Sequence, residues 1–177
     1  MKLLADGQAI RYGDVLVDGE RWPGFLHVIQ HPQGRVLVDT GLIDSTPALD
    51  EEWSPRFDPD AIPRDVVCAI NTHLHFDHCG GNRLFAGIPI YLQRLEREAA
   101  RAEDYTIPDW VVFEGATYLE LEGKQEGLPG LRVVPTPGQA SVGTGRDGRR
   151  PRGCRRRRRL HLGRRQRQPP WRRMSGR

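Results

Sequence analysis

Asp65-Val66-Val67-Cys68-Ala69-Ile70-Asn71 runs directly into Thr72-His73-Leu74-His75-Phe76-Asp77-His78-Cys79-Gly80-Gly81-Asn82. The first stretch is a continuous apolar run of strand length, the pattern of a strand covered on both faces. The second places four metal-binding side chain types, His73, His75, Asp77 and His78, within six residues. Open α/β sheets carry their sites at the carboxyl ends of strands, where this cluster falls. His73 and His75 are two apart, so an extended or turning backbone can aim both at one ion. Asp77 and His78 are adjacent and suit a second ion better than the same one. Imidazole with carboxylate favours zinc, iron or manganese over calcium or magnesium. Gly80 and Gly81 permit a tight backbone from which a helix begins under the site. The competing reading is a polar, histidine-rich surface loop. It suits the isolated His27 and His31, but not four ligand types at workable spacing.

Outward from this stretch the flanks read as strands and one helix. Gly24-Phe25-Leu26-His27-Val28-Ile29-Gln30 and Arg35-Val36-Leu37-Val38-Asp39-Thr40 predict two strands joined by the turn His31-Pro32-Gln33-Gly34. Pro89-Ile90-Tyr91-Leu92 predicts a short strand. It leads into a helix over 94–102, where good helix formers carry opposite charges at i,i+3 and i,i+4. Two later strands are predicted at 117–121 and 131–134. Strands interleaved with helix argue for a layered α/β fold. Trp22, Trp53 and Trp110 read as packing residues or pocket walls, Cys68 as an inert thiol inside a buried strand, and Cys79 as a packing residue.

The 177 residues suffice for one domain, and 37% apolar content allows a lean core. The net charge of +4 conceals two unlike pieces. Residues 1–138 hold 12 Lys and Arg against 22 Asp and Glu, whereas 139–177 hold 15 Arg against the single acid Asp147. Arg155 to Arg159 is an unbroken arginine run, and apolar periodicity stops after Gly138. Such a tail cannot bury enough surface to offset its ordering entropy, so disorder is expected from 139 to 177. Three cysteines (Cys68, Cys79, Cys154) without a CxxC indicate neither a disulfide framework nor a zinc ribbon. No apolar run reaches membrane length, and Asp6-Gly7 interrupts the start too early for a signal peptide. A cytoplasmic protein is expected.

His73-Leu74-His75-Phe76-Asp77-His78 after a buried strand resembles the HxHxDH signature of the metallo-β-lactamase superfamily. Within that superfamily, the stretches His73–Asn82, Pro89–Ala100, Tyr105–Val111 and Val133–Gly138 are most similar to the N-acyl homoserine lactonase branch. Leu37-Val38-Asp39-Thr40-Gly41 matches the early strand and turn below the metals, and the similarity covers about residues 8–138. The resemblance implies an α/β fold: the N-terminal part of an αββα sandwich, followed here by the arginine-rich tail. It implies two zinc ions, the first on His73 and His75 and the second on Asp77 and His78. It further implies a quorum-quenching hydrolase acting on a small-molecule ester or lactone. There a metal-bound hydroxide attacks the lactone carbonyl and Asp77 shuttles a proton to the leaving alkoxide. Asp39 could orient a ligand by hydrogen bonding, or be a plain turn aspartate.

The chain departs from the family pattern after Thr136-Pro137-Gly138. Gln139 stands where the third histidine is expected, no aspartate follows Asp147, and the only later histidine is His161. A complete dinuclear site, and activity with it, is therefore not expected of the chain as written. A frame shift near Gln139 accounts for this: read one base later, codons from Gly148 allow Asp-Asp-Gly-Pro-Val-Val-Val-Ala-Gly-Asp-Val-Ala-Tyr-Thr. That is a turn, a buried strand and the Gly-Asp the family needs. Two alternatives stand beside the hydrolase. One is a non-catalytic remnant with exposed sheet surface. The other is nucleic-acid binding through the tail, which has charge but a single aromatic, Trp171.

Overall fold

Two long strands open the fold, β1 (Gly7–Val17) and β2 (Glu20–His31). Asp18 and Gly19 join them, both at positive φ, 50° and 85°, the geometry of a two-residue hairpin turn. The computed structural model describes residues 7–102 and 105–136. β2 turns back through Pro32 and Gln33 into β3 (Gly34–Val38), pairing His27 with Val38 and His31 with Gly34. Helix α1 (Pro47–Trp53) follows, capped by Thr46, whose hydroxyl accepts from the Leu49 N–H. The two-residue β4 (Arg56–Phe57) returns to the outer edge of β1.

From there the chain changes style. β5 (Cys68–Ile70), β6 (Pro89–Gln93) and β7 (Thr117–Leu121) are added in parallel beside β3. Between them lie α2 (Phe76–Cys79), α3 (Arg94–Ala99) and α4 (Pro108–Val111). The resulting seven-stranded mixed sheet has the order β4-β1-β2-β3-β5-β6-β7. A separate hairpin, β8 (Gln125–Leu128) with β9 (Leu131–Val133), completes the described chain.

Alternation along the strands gives each sheet face its own core. Leu26, Val28, Leu37, Ala69 and Ile90 meet Leu42, Leu49, Phe85 and Trp110 on the helical side. Ile29, Val36, Val38, Cys68 and Ile70 face the other way, beneath Leu128, Leu131 and Val133 of the β8–β9 hairpin. The α/β class and the strands at 24–30, 35–40, 89–92, 117–121 and 131–134 agree with the sequence reading, within a residue or two at most ends. Two elements are shorter than expected. The run 65–71 pairs only over Cys68–Ile70: residues 65–67 precede the first pair, Val36 with Cys68, and the ladder stops at Val38 with Ile70, where Asp39 takes a left-handed φ of 60°. The helix expected to 102 ends at Ala99, and its last residues close tighter i→i−3 bonds, Arg101 to Glu98 and Ala102 to Ala99. The arginine-rich tail, with Gln139, Asp147, Cys154, His161 and Trp171, lies outside the described residues. No helix among the described residues is long and apolar enough to cross a membrane.

Candidate metal centre

The site is assembled where β3 and β5 end side by side. Past Val38 the left-handed Asp39 turns the chain, its N–H donating to the Ile70 carbonyl at 2.8 Å. Thr40 N–H then donates to the His78 carbonyl at 2.8 Å, and Gly81 N–H to the Gly41 carbonyl at 3.0 Å. These bonds lay the 39–41 turn against the His73–Gly81 loop. The glycines serve this approach: a Cβ on Gly81 would sit 2.3 Å from the Thr40 carbonyl oxygen, and one on Gly80 2.7 Å from that of Phe76. This corrects the expectation that a helix starts at them. The helical turn α2 starts earlier, at Phe76, and only a 3-10 turn, Asn82–Phe85, follows them.

Asp39 is the organiser. Its Oδ1 accepts from the Thr72 N–H at 2.7 Å, and its carboxylate takes the Thr72 hydroxyl at 2.8–2.9 Å. Oδ2 also accepts from His78 Nδ1 at 2.8 Å. A carboxylate only accepts, so the Thr72 proton points to Asp39, and the Thr72 oxygen is left to accept from His73 Nδ1, 3.0 Å away. Both imidazoles are thereby held with Nδ1–H engaged and the Nε2 lone pair outward, the metal-binding tautomer. Of the two readings of Asp39, the turn aspartate and the orienting aspartate, the geometry supports both at once.

The three rings lie close together. His73 is 4.7 Å from His75 and 4.0 Å from His78, centroid to centroid. His78 Nε2 is 3.5 Å from Asp77 Oδ2. His73 Nε2 is buried and has no hydrogen-bond partner. Burial pushes the His73 imidazole down to about 3, with His78 and His75 adding to the effect. Burial also lowers His75, against the pull of Asp77 and Glu96. On His78 burial acts downward too, but the hydrogen bond and charge of Asp39, together with Asp77, outweigh it and raise its pKa. His73, held neutral with its tautomer fixed and its Nε2 orphaned, and His75, whose pKa is also lowered, are donors of the kind that a borderline cation such as zinc takes. Among the described residues no three His, Cys, Asp or Glu side chains are placed so as to hold one metal ion together.

Several supporting residues were invisible to spacing. Tyr12 of β1 donates its hydroxyl to the Asp77 carbonyl, its ring wedged between Gly24 and Gly41. Asn82 is fully buried, accepting from Thr40 and Asn71 and donating to Asn71 and Tyr118. Glu96 accepts from the Leu74 N–H at 2.8 Å and from the Tyr105 hydroxyl. Cys68 and Cys79 are buried, and burial raises their thiols to about 11 and about 12. His27 and His31 lie away from the cluster, His31 bonded to the Pro129 carbonyl. A cleft of about 1390 Å³ opens over His75, Asp77 and His78, with Val15, Val17, Trp22 and Trp53 in its walls. Trp110, by contrast, is a core residue.

A mixed sheet carrying a histidine-rich loop at the ends of two adjacent strands defines the class. The chain belongs to the metallo-beta-lactamase superfamily, whose family signature matches residues 19–148. It is 30% identical over 138 residues to an N-acyl homoserine lactonase of Bacillus cereus, covering 67% of this chain and 55% of the relative. A Bacillus sp. N-acyl homoserine lactonase is likewise 30% identical, over 136 residues. The chain thus spans about half the length of the curated relatives it matches. Among solved structures, an N-acyl homoserine lactone hydrolase with the product N-hexanoyl-L-homoserine at its catalytic metal center superposes with a TM-score of 0.62. It is 25% identical, over 75% of this chain and 66% of that one. A quorum-quenching N-acyl homoserine lactone lactonase gives 0.59 at 27% identity, over 75% and 63%. Superfamily membership implies dependence on a divalent metal.

Proposed function

We propose that this protein is a zinc-dependent hydrolase that opens the lactone ring of N-acyl homoserine lactones. In this reading His73 and His75 hold one ion and Asp77 and His78 a second. The observation that carries it is the orphaned Nε2 of His73, buried with the His75 and His78 rings 4.7 and 4.0 Å away. The relatives' lactonase names and the cleft above the loop support the substrate class.

The chemistry that bound divalent ions supply is polarisation of a carbonyl oxygen and a nucleophilic water at neutral pH. The chain's own residues do the rest. Asp39 and Thr72 fix the imidazoles, so no reorganisation is needed during the reaction. As water adds to the carbonyl carbon, Asp77, at the cleft, would take up its proton and pass it to the ring oxygen as that oxygen's bond to the carbonyl carbon breaks, so that lactone and water give the hydroxy acid. Val15, Val17, Trp22 and Trp53 offer an apolar wall for the acyl chain.

The test is hydrolysis of N-hexanoyl homoserine lactone by the full chain incubated with zinc, followed by mass spectrometry of the ring-opened acid. The chain as written, with Gln139 at the position of the family's third histidine, is expected to take up zinc but to form little or no product. A chain expressed in the frame that restores that histidine is expected to form product, lost in its His73→Ala and Asp77→Asn variants. Stoichiometric zinc uptake without any product in the frame-restored chain overturns the catalytic reading. We further propose a unit of residues 1–138 with 139–177 as a frame-shifted basic segment in a cytoplasmic protein. The contrast between 12 Lys and Arg against 22 Asp and Glu in 1–138 and 15 Arg against one acid in 139–177 supports the division. Resequencing codons 130–177 is the check: a one-base discrepancy that restores a histidine after Gly138 is expected, and codons confirmed as written refute it.

A further inference from the structure

Glu96 is a carboxylate that a short surface helix has no reason to bury. It lies in α3, where the flanking Leu95 is 69% exposed, yet Glu96 itself is only 8% exposed. Withdrawing a carboxylate from water is unfavourable unless donors replace the lost hydration. Both donors identified here belong to the wall of the histidine loop. One is the backbone N–H of Leu74, the residue between His73 and His75, at 2.8 Å. The other is the hydroxyl of Tyr105, and it reaches the same oxygen, Oε1. The Tyr105 ring in turn rests on the His75 imidazole, with centroids 4.7 Å apart and planes at 48°. His75 has no counterpart of the Asp39 bond that orients His78: no side-chain hydrogen bond to its ring is found among the described residues. Its direction is set by the backbone on one side and by Tyr105 on the other, and Glu96 grips both.

We propose that Glu96 is a positioning residue for His75, acting through the Leu74 backbone and the Tyr105 ring so that the His75 imidazole is held in the direction that a divalent ion requires. The assignment rests on the metal reading given above and adds a residue to it. Charge-assisted bonds make a carboxylate the strong choice for gripping two donors at one oxygen. A glutamine keeps an acceptor oxygen in the same place, whereas an aliphatic side chain of similar size keeps neither bond.

The experiment is a cobalt titration of the full chain, read by the visible ligand-field absorption of the bound ion, which reports both affinity and coordination geometry. Wild type, His73→Ala, Glu96→Gln, Glu96→Leu, Tyr105→Leu and the double variant Glu96→Leu/Tyr105→Leu are compared, with near-ultraviolet circular dichroism to confirm folding. Glu96→Leu and Tyr105→Leu are each expected to weaken cobalt binding about 10- to 100-fold and to shift the band. Glu96→Gln should stay within about threefold of wild type, and the double variant should be no worse than the weaker single, since the pair acts as one unit. If Glu96→Leu does not fold, Tyr105→Leu and Glu96→Gln decide. Wild-type affinity and spectrum in folded Glu96→Leu or in Tyr105→Leu, with binding lost in His73→Ala, overturn the positioning role alone. Equal binding in wild type and His73→Ala, or binding in neither, overturns the metal reading and this inference with it.

Discussion

Asp39 concentrates more consequence in one side chain than any ligand candidate does. It receives two groups of Thr72 and Nδ1 of His78, so Asp39→Ala releases both imidazole tautomers together. Zinc affinity of Asp39→Ala, measured by competition with a chromophoric chelator, should fall about 10- to 100-fold. An unchanged affinity would mean that the imidazoles do not depend on it. Proton linkage gives a second handle. His73 and His75 have folded pKa values below their unfolded value of about 6.5. Their contribution to stability is therefore present above about pH 6.5 and is lost as pH falls toward the folded values, about 3 for His73. His78 has the opposite sign: its raised pKa gives stability that is full below about 6.5 and lost as pH rises through the folded value. With two groups against one, the metal-free chain should be less stable at pH 5 than at pH 7.5, by on the order of 1 kcal/mol. Urea midpoints at the two pH values, with His73→Asn narrowing the gap, provide the check.

At the scale of elements the loop after β5 depends on close backbone approach. Gly81 has an ordinary φ of −90°, so its constraint is purely the 2.3 Å between an added Cβ and the Thr40 carbonyl. Gly81→Ala should destabilise by about 2 kcal/mol or more. Gly123, at φ 64° with nothing near an added Cβ, should lose only about 1 kcal/mol on the same change. Thermal melts of the two variants that came out equal would contradict this contrast. The same distinction explains what could be read from the amino acids alone. The histidine cluster was legible because its chemistry is local, four side chains within six residues. Apolar runs such as Val36–Val38 and Ile90–Leu92 declared their strands. β1 did not, because its burial is shallow along most of its length and Gly13 and Asp14 interrupt the alternation. The support of the cluster was equally hidden, since Asp39 and Thr72 are 33 residues apart and meet only when β3 and β5 align. Glu96 was masked by its own neighbours, because a run of alternating charges reads as a solvated helix face.

On the scale of the whole molecule, the helix-free face of the sheet relies on a small cover. Ile29, Val36, Val38 and Ile70 are buried there beneath the β8–β9 hairpin. Leu131→Asp places a charge in that contact and should cost about 2–3 kcal/mol while increasing binding of a hydrophobic dye. Wild-type dye binding would show that the hairpin is not what keeps this face dry. A different consequence follows from where the donors' supports come from. Tyr12 reaches Asp77 across 65 residues of chain, and Asp39 reaches His78 across 39. An unfolded chain keeps the histidines near one another in sequence but has none of the partners that aim them. An ion selecting the aimed arrangement therefore discriminates against every partly assembled chain. Zinc at a hundred times its dissociation constant should stabilise the fold by about 2.7 kcal/mol. The concentration of free metal would then act as a thermostat on how much of the protein is folded.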